Sequence, residues 1–485
     1  MRTPTCKFML IWSFAWAIGL VAIFPILNYI TPFLNPAYNN FYTPDIYWRL
    51  VLYWHGAIFM PLIIALSALM CSVFGLYEMK GFPGLLIRDS VFFGGTIAIP
   101  LAGIAGIFDV YDRFLYGIPL WTQIAAFLIG DEIAIALIVA FSYKAAQATS
   151  MQIKALDSFM AFAVFLTLVS AFMGHIAGWI TWFGPWPSFV STYINQTMYP
   201  VLGFYNTTAV ITWTEDVVTS HSHLMLPVIM AGIVVIVAYV YGLTSSWTKG
   251  QRSLAYAGIA IMVAAMITAA VIYIISGVGN YSIPTLFSSG PNDINGLAMD
   301  DMITGFIGWG ALLVLIALLW HAKSGNLLKD PLFLSLVTAW ILVYLTIPVT
   351  GYWIEFHETF YGAAGALPNA PGAAFDAAYT RFHQDFGFFL LPALVTAIIT
   401  FEVYGISGID RKLTGLLFLA GEIISFVSGE LYTMVFLSEP LLVIAGFGAS
   451  LMALGGIIGI RYMIRCKKGC PRAEDAQMFA VKLGV

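Results

Sequence analysis

Apolar runs of about 20 residues, separated by short polar or charged stretches, recur along the whole chain. A run of that length crosses about 30 Å of hydrocarbon at 1.5 Å per residue. The pattern predicts twelve spans, near residues 8–30, 50–76, 91–108, 119–143, 156–182, 220–243, 254–277, 301–320, 332–351, 383–405, 412–436 and 440–463. Helix is the expected element, because a backbone in lipid must satisfy its own polar groups. The ten-residue alternation of a barrel strand is not seen. The predicted fold class is an all-α polytopic membrane protein, a single membrane domain with a tail at 471–485. Arg2 and Lys7 precede a first run longer than a signal core and without a small-residue cleavage site, so it reads as a span.

Polar residues inside the runs add an internal repeat. Span 2 begins Tyr53-Trp54-His55-Gly56 and reaches Pro61. Span 6 begins Ser220-His221-Ser222-His223 and reaches Pro227. Span 10 begins Phe382-His383-Gln384-Asp385 and reaches Pro392. His55 and His221 are 166 positions apart, His221 and His383 162. The three runs end alike, in Phe74-Gly75, Tyr241-Gly242 and Tyr404-Gly405. Twelve spans and three such units predict three quasi-equivalent four-helix repeats, roughly 1–150, 151–325 and 326–470.

Composition agrees: 60% of the 485 residues are hydrophobic and only 9% charged, unlike a soluble domain. The net charge of −4 offers no basic patch for nucleic acid, and none is expected as a partner. Basic residues such as Lys80, Arg88, Lys144, Lys249, Lys323 and Arg411 fall on one side of the predicted spans. Acidic ones such as Asp109, Asp112, Glu215, Asp216, Glu355 and Glu358 fall on the other. The positive-inside rule then predicts cytoplasmic termini in a prokaryotic inner or plasma membrane, with the three histidine sites toward the outer face. The four cysteines, with a Cys466-x3-Cys470 pair in the tail, make no disulfide framework.

Imidazole is costly in lipid, so its repetition at one depth points to ligand chemistry. Successive helical residues turn by about 100°, which puts His221 and His223 on opposite sides of one helix, suited to two acceptors rather than one ion. A flat apolar macrocycle with axial nitrogen ligands fits such an environment. The alternative is a hydrogen bond from either imidazole to a nearby carbonyl. His55 and His383 are the matching partners across the bundle. His175, in Gly174-His175-Ile176-Ala177-Gly178, reads as a fourth ligand or as packing. His321 reads as a cation at a helix end, and His357 as a solvated loop residue.

Twelve helices in three sets of four, with outer-end histidines on helices 2, 6 and 10 and one His-x-His, resemble the catalytic subunit of the heme-copper oxidase superfamily. That group includes cytochrome c and quinol oxidases and nitric oxide reductases. The resemblance implies two hemes, b-type, with His223 on a low-spin heme and His221 on a high-spin one. It also implies heme iron as the metal at His55, His221, His223 and His383, and His221 and His55 at the catalytic site. The departures are specific. The His-x-His lies on span 6 rather than helix 10, and the His-Pro-Glu-Val-Tyr and His-His motifs of the copper site do not occur, so copper is not expected. Rotating the ring of repeats pairs His383 with His223 and sets His55 opposite His221. The unrotated order pairs His55 with His223.

Asp131 and Glu132 in span 4, Glu402 in span 10, and Glu422 and Glu430 in span 11 are acids within apolar runs. An ionised acid at mid-membrane costs about 3 kcal/mol on the lenient scale. Asp131, Glu132, Glu402 and Glu422 read as a proton relay or as packing hydrogen bonds. The expected function is a heme-binding oxidoreductase or electron-transfer subunit of a respiratory chain, terminal oxidase-like or nitric oxide reductase-like. Its expected partners are membrane lipid, further subunits, and a periplasmic-side donor: a cytochrome c, a copper protein or a quinol. The competing readings are a proton-coupled secondary transporter without heme and a non-catalytic heme-binding accessory protein.

Overall fold

The computed structural model describes residues 5–34, 53–110, 118–183, 207–278, 297–324, 327–350, 383–433 and 439–466. These residues are all-helical, with no strand among them. In chain order the helices are α1 (Thr5–Leu34), α2 (a π-helical turn His55–Phe59 leading into Met60–Val73) and α3 (Phe82–Asp89, a π-helical turn Ser90–Gly94, then Gly95–Val110). Next come α4 (Ile118–Gln147), α5 (Met151–Phe183) and α6 (Thr207–Val240). Then follow α7 (Lys249–Ile272 and the π-helical Tyr273–Val278), α8 (Leu297–Ser324) and α9 (Pro331–Tyr344 and the π-helical Leu345–Val349). The last are α10 (π-helical His383–Leu390, then Leu391–Val403), α11 (Gly408–Leu431) and α12 (Glu439–Arg465).

Eleven of these are long and apolar enough to cross a membrane, and α9 contributes a shorter apolar helix, Pro331–Ile347. The chain is an integral membrane protein. Among the described residues the apolar pattern located each long helix, but it misplaced two starts: α3 begins at Phe82 rather than near 91, and α6 at Thr207 rather than near 220. The stretch from Phe183 to Thr219 was expected to be a loop, whereas α5 runs to Phe183 and α6 already begins at Thr207. His221 and His223 therefore lie four turns inside α6 rather than at its start.

Burial sorts the helices into an inner and an outer set. The apolar windows of α2, α6 and α10 are 94%, 89% and 89% buried, while none of the other eight spanning helices exceeds 50%. The helices that carry His55, His221 with His223, and His383 are thus the centre of the described structure, each in contact with the other two. The outer helices pack mainly as sequence neighbours: α3 on α4, α4 on α5, α7 on α8, α11 on α12. Glycines let two of these pairs approach closely. A Cβ on Gly258 would come within 2.4 Å of the Gly310 carbonyl oxygen, and one on Gly421 within 2.6 Å of that of Gly448. Close backbone approach at small residues is how helices associate where lipid removes the hydrophobic drive.

The inner helices share an ending. Gly75, Gly242 and Gly405 take φ of +68°, +91° and +70°. Their N–H groups return to the carbonyls of Ser72, Tyr239 and Glu402. A left-handed glycine there satisfies carbonyls that the helix leaves open.

Candidate paired-imidazole site

Prolines shape the helices that carry the histidines. Proline cannot donate a backbone bond and crowds the carbonyl four residues earlier. In α2 and α10 a π-helical turn precedes Pro61 and Pro392, and His55 and His383 open those two turns. Two further π-helical segments reach the same region, one beginning at Tyr273 and one holding Thr346. Such widened turns free backbone groups for other bonds and are frequent at functional sites.

His221 faces α5 and α2. Its Nδ1 donates to the Ser170 carbonyl at 2.7 Å, and the Ser170 hydroxyl donates back to the His221 carbonyl at 2.7 Å. Gly174, one turn further along α5, makes room for the ring. The His55 ring lies opposite, its centroid 6.4 Å away and its plane within 21° of parallel. Phe59, Phe127 and Phe389 surround His55 at 5.6 to 6.0 Å. His223 leaves α6 toward other neighbours. Its ring stacks beside Tyr273 at 6.5 Å, and His383 is its electrostatic neighbour. The His383 Nδ1 donates to the Thr346 carbonyl, and Phe388 packs edge-on against its ring at 4.9 Å.

His55 and His221 thus form a ring pair on one side of α6, while His223 on the other side has His383 within electrostatic reach. A carbonyl only accepts, so Nδ1 of His221 and of His383 must carry the proton. In the neutral ring each Nε2 is then an unprotonated lone pair. An Nδ1–H bonded to a backbone carbonyl is the usual support for a metal-ligating imidazole. His55 and His221 are the residues that would hold such a metal group on the α2 side of α6. A bare ion of the zinc type takes three or four protein ligands. Among the described residues no group of three or more His, Cys, Asp or Glu side chains is placed to hold one. Imidazoles in twos match a macrocycle that brings its own equatorial nitrogens.

The other candidates separate. Asp131 is buried and accepts from His175 Nε2 at 2.7 Å, so His175 has a carboxylate partner. Glu132 turns to the exposed face of α4, where among the described residues only the Ser90 hydroxyl donates to it, at 3.2 Å. Glu402 lies at the far end of the bundle from the histidines, gripped by Arg411 through bonds of 2.8 and 2.7 Å, with the Tyr241 hydroxyl donating at 3.0 Å. Arg411 also reaches Asp330, which caps the first turn of α9. Arg411, one of the basic residues between the predicted spans, is buried. Glu422 is fully buried with neither oxygen hydrogen-bonded, the Ser335 hydroxyl near it but outside bonding geometry. His321 does lie in the last turn of α8, but it is buried there, stacked against Trp247 at 5.5 Å. His357 and the segment 351–382 lie outside the described residues, as does Cys470. No protein family, curated protein or solved structure matches this chain.

Proposed function

We propose that this chain is a heme-binding oxidoreductase or electron-transfer subunit of a respiratory membrane complex, without a copper site. In this reading its termini are cytoplasmic in a prokaryotic membrane, and the histidine end faces an external electron donor. The observation that carries it is the pairing of imidazoles across the buried helix trio, with two Nδ1 atoms tied to backbone carbonyls. The pairing favours the rotated order of the repeats, His223 with His383 and His55 with His221, over one joining His55 to His223. Two b-type hemes bound there would supply one-electron carriers on either side of α6. Ser170 and Thr346 orient the imidazoles, and the phenylalanines around His55 exclude water. The Asp131–His175 bond holds a proton between Oδ2 and Nε2 close to His221.

The test is the absorption spectrum of the purified protein with a pyridine hemochrome assay. Two b hemes per chain, with sharp reduced α bands, are expected. Carbon monoxide binding by part of the heme marks a reactive centre, whereas its absence assigns the chain to electron transfer alone. A colourless, iron-free protein that retains its native activity overturns the reading. One observation favours the competing heme-free, proton-coupled transporter: the buried, unbonded carboxyl of Glu422. The same colourless preparation would be its signature.

A further inference from the structure

Glu132 is the one acid of α4 that the bundle does not enclose. It lies near the middle of the apolar window Trp121–Gln147, about as far from the polar ends as this helix allows. Asp131, its neighbour, turns inward to His175 because consecutive helical residues diverge by about 100°. Glu132 is consequently exposed on the outer face, and among the described residues only the Ser90 hydroxyl bonds it, at 3.2 Å. A carboxyl at that depth against hydrocarbon is strongly disfavoured, and acids within membranes almost always face protein or water.

The surroundings of Glu132 have the form of a helix-packing seam. Trp121, Leu128, Ile135 and Val139 are all exposed, at 39%, 50%, 48% and 37%, and recur with Glu132 at intervals of three, four or seven residues. A single polar residue amid such an apolar stripe fixes the register and identity of a partner helix. We infer that this face of α4 docks a transmembrane helix of a different membrane subunit, one carrying a basic side chain opposite Glu132. Charge complementarity selects that occupant. The lysines and arginines of this chain cluster near its helix ends and connections, so a second copy would set Glu132 against apolar surface or against another carboxyl. The inference is independent of heme: it needs only the exposed carboxyl and its stripe.

Site-specific photocrosslinking in the native membrane tests it. A benzoylphenylalanine at Leu128 or Ile135 is introduced into the full chain, and the adduct is mapped by mass spectrometry. The expected result is an adduct on a transmembrane segment of another protein, within one helical turn of a lysine or arginine. Glu132→Leu should lower its yield by about tenfold, as loss of an interhelical polar contact predicts. Reversing both charges, Glu132→Lys with the partner's basic residue made Glu, should restore it. Adducts to lipid alone, to a second copy of this chain, or to a purely apolar segment overturn the proposal. So does a yield that Glu132→Leu leaves unchanged.

Discussion

Gly174 stands against the His221 ring so closely that a Cβ added there would fall 2.6 Å from Cε1 and 2.8 Å from Nδ1. Gly174→Ala is therefore expected to turn the imidazole away from the Ser170 carbonyl. Overpacking of this kind costs about 1–3 kcal/mol, read as a lower melting temperature in detergent. Under the proposed function it also lowers the heme-to-protein ratio. Gly130→Ala is the control, since its Cβ would meet only the Met60 methyl at 3.7 Å, an ordinary contact. The histidines themselves were legible because imidazole is so uncommon in an apolar run. Their anchors were not, since Ser170 and Thr346 act through backbone carbonyls, which every residue has. The paired acids were half legible. Asp131 and Glu132 read alike in sequence, and only the rotation of α4 sends one inward and the other out.

At the scale of elements, one cation joins four helices. Arg411 at the start of α11 binds Glu402 of α10 and Asp330 at the cap of α9, while Tyr241 just past α6 donates to the same Glu402. Arg411→Met leaves Glu402 buried and without its cation, and breaking such a pair costs about 3–5 kcal/mol. The melting temperature should fall accordingly. Glu402→Gln added to Arg411→Met should recover part of the loss, because the remaining partner is then neutral. The sequence hid this clamp, for Arg411-Lys412 reads as an exposed basic pair. Helix begins at Gly408, so the two side chains point apart and only Lys412 stays exposed. The apolar pattern was otherwise a good guide to elements, since a lipid-spanning helix must be apolar throughout. It failed at α6, whose first turns hold Thr214-Glu215-Asp216 and read as loop. A helix that leaves the hydrocarbon keeps its backbone bonds without needing apolar side chains.

For the whole molecule, the arrangement turns on α6, which packs against both α2 and α10 and presents one imidazole toward each of His55 and His383. If both pairs hold heme, His221→Ala and His223→Ala should each remove one heme and spare the other. Heme per chain then drops from two to one, with complementary difference spectra. Loss of both hemes from either variant would show that the pairs do not act separately. The recurrence of histidine, proline and glycine at a near-constant interval made the importance of spans 2, 6 and 10 legible, but not that they form the buried centre. That depends on how outer helices wrap them, which local sequence does not encode. The length of α6 has a consequence of its own. Its 34 residues measure about 51 Å at 1.5 Å per residue, against about 30 Å of hydrocarbon. Counted back from Val240, the oily slab is used up near Ser220, so a stalk of about 20 Å rises beyond it. With α6 upright and Val240 at one edge of the slab, the histidines would sit at the shoreline rather than at depth, and keeping them dry would fall to folded polypeptide, since acyl chains do not reach that high.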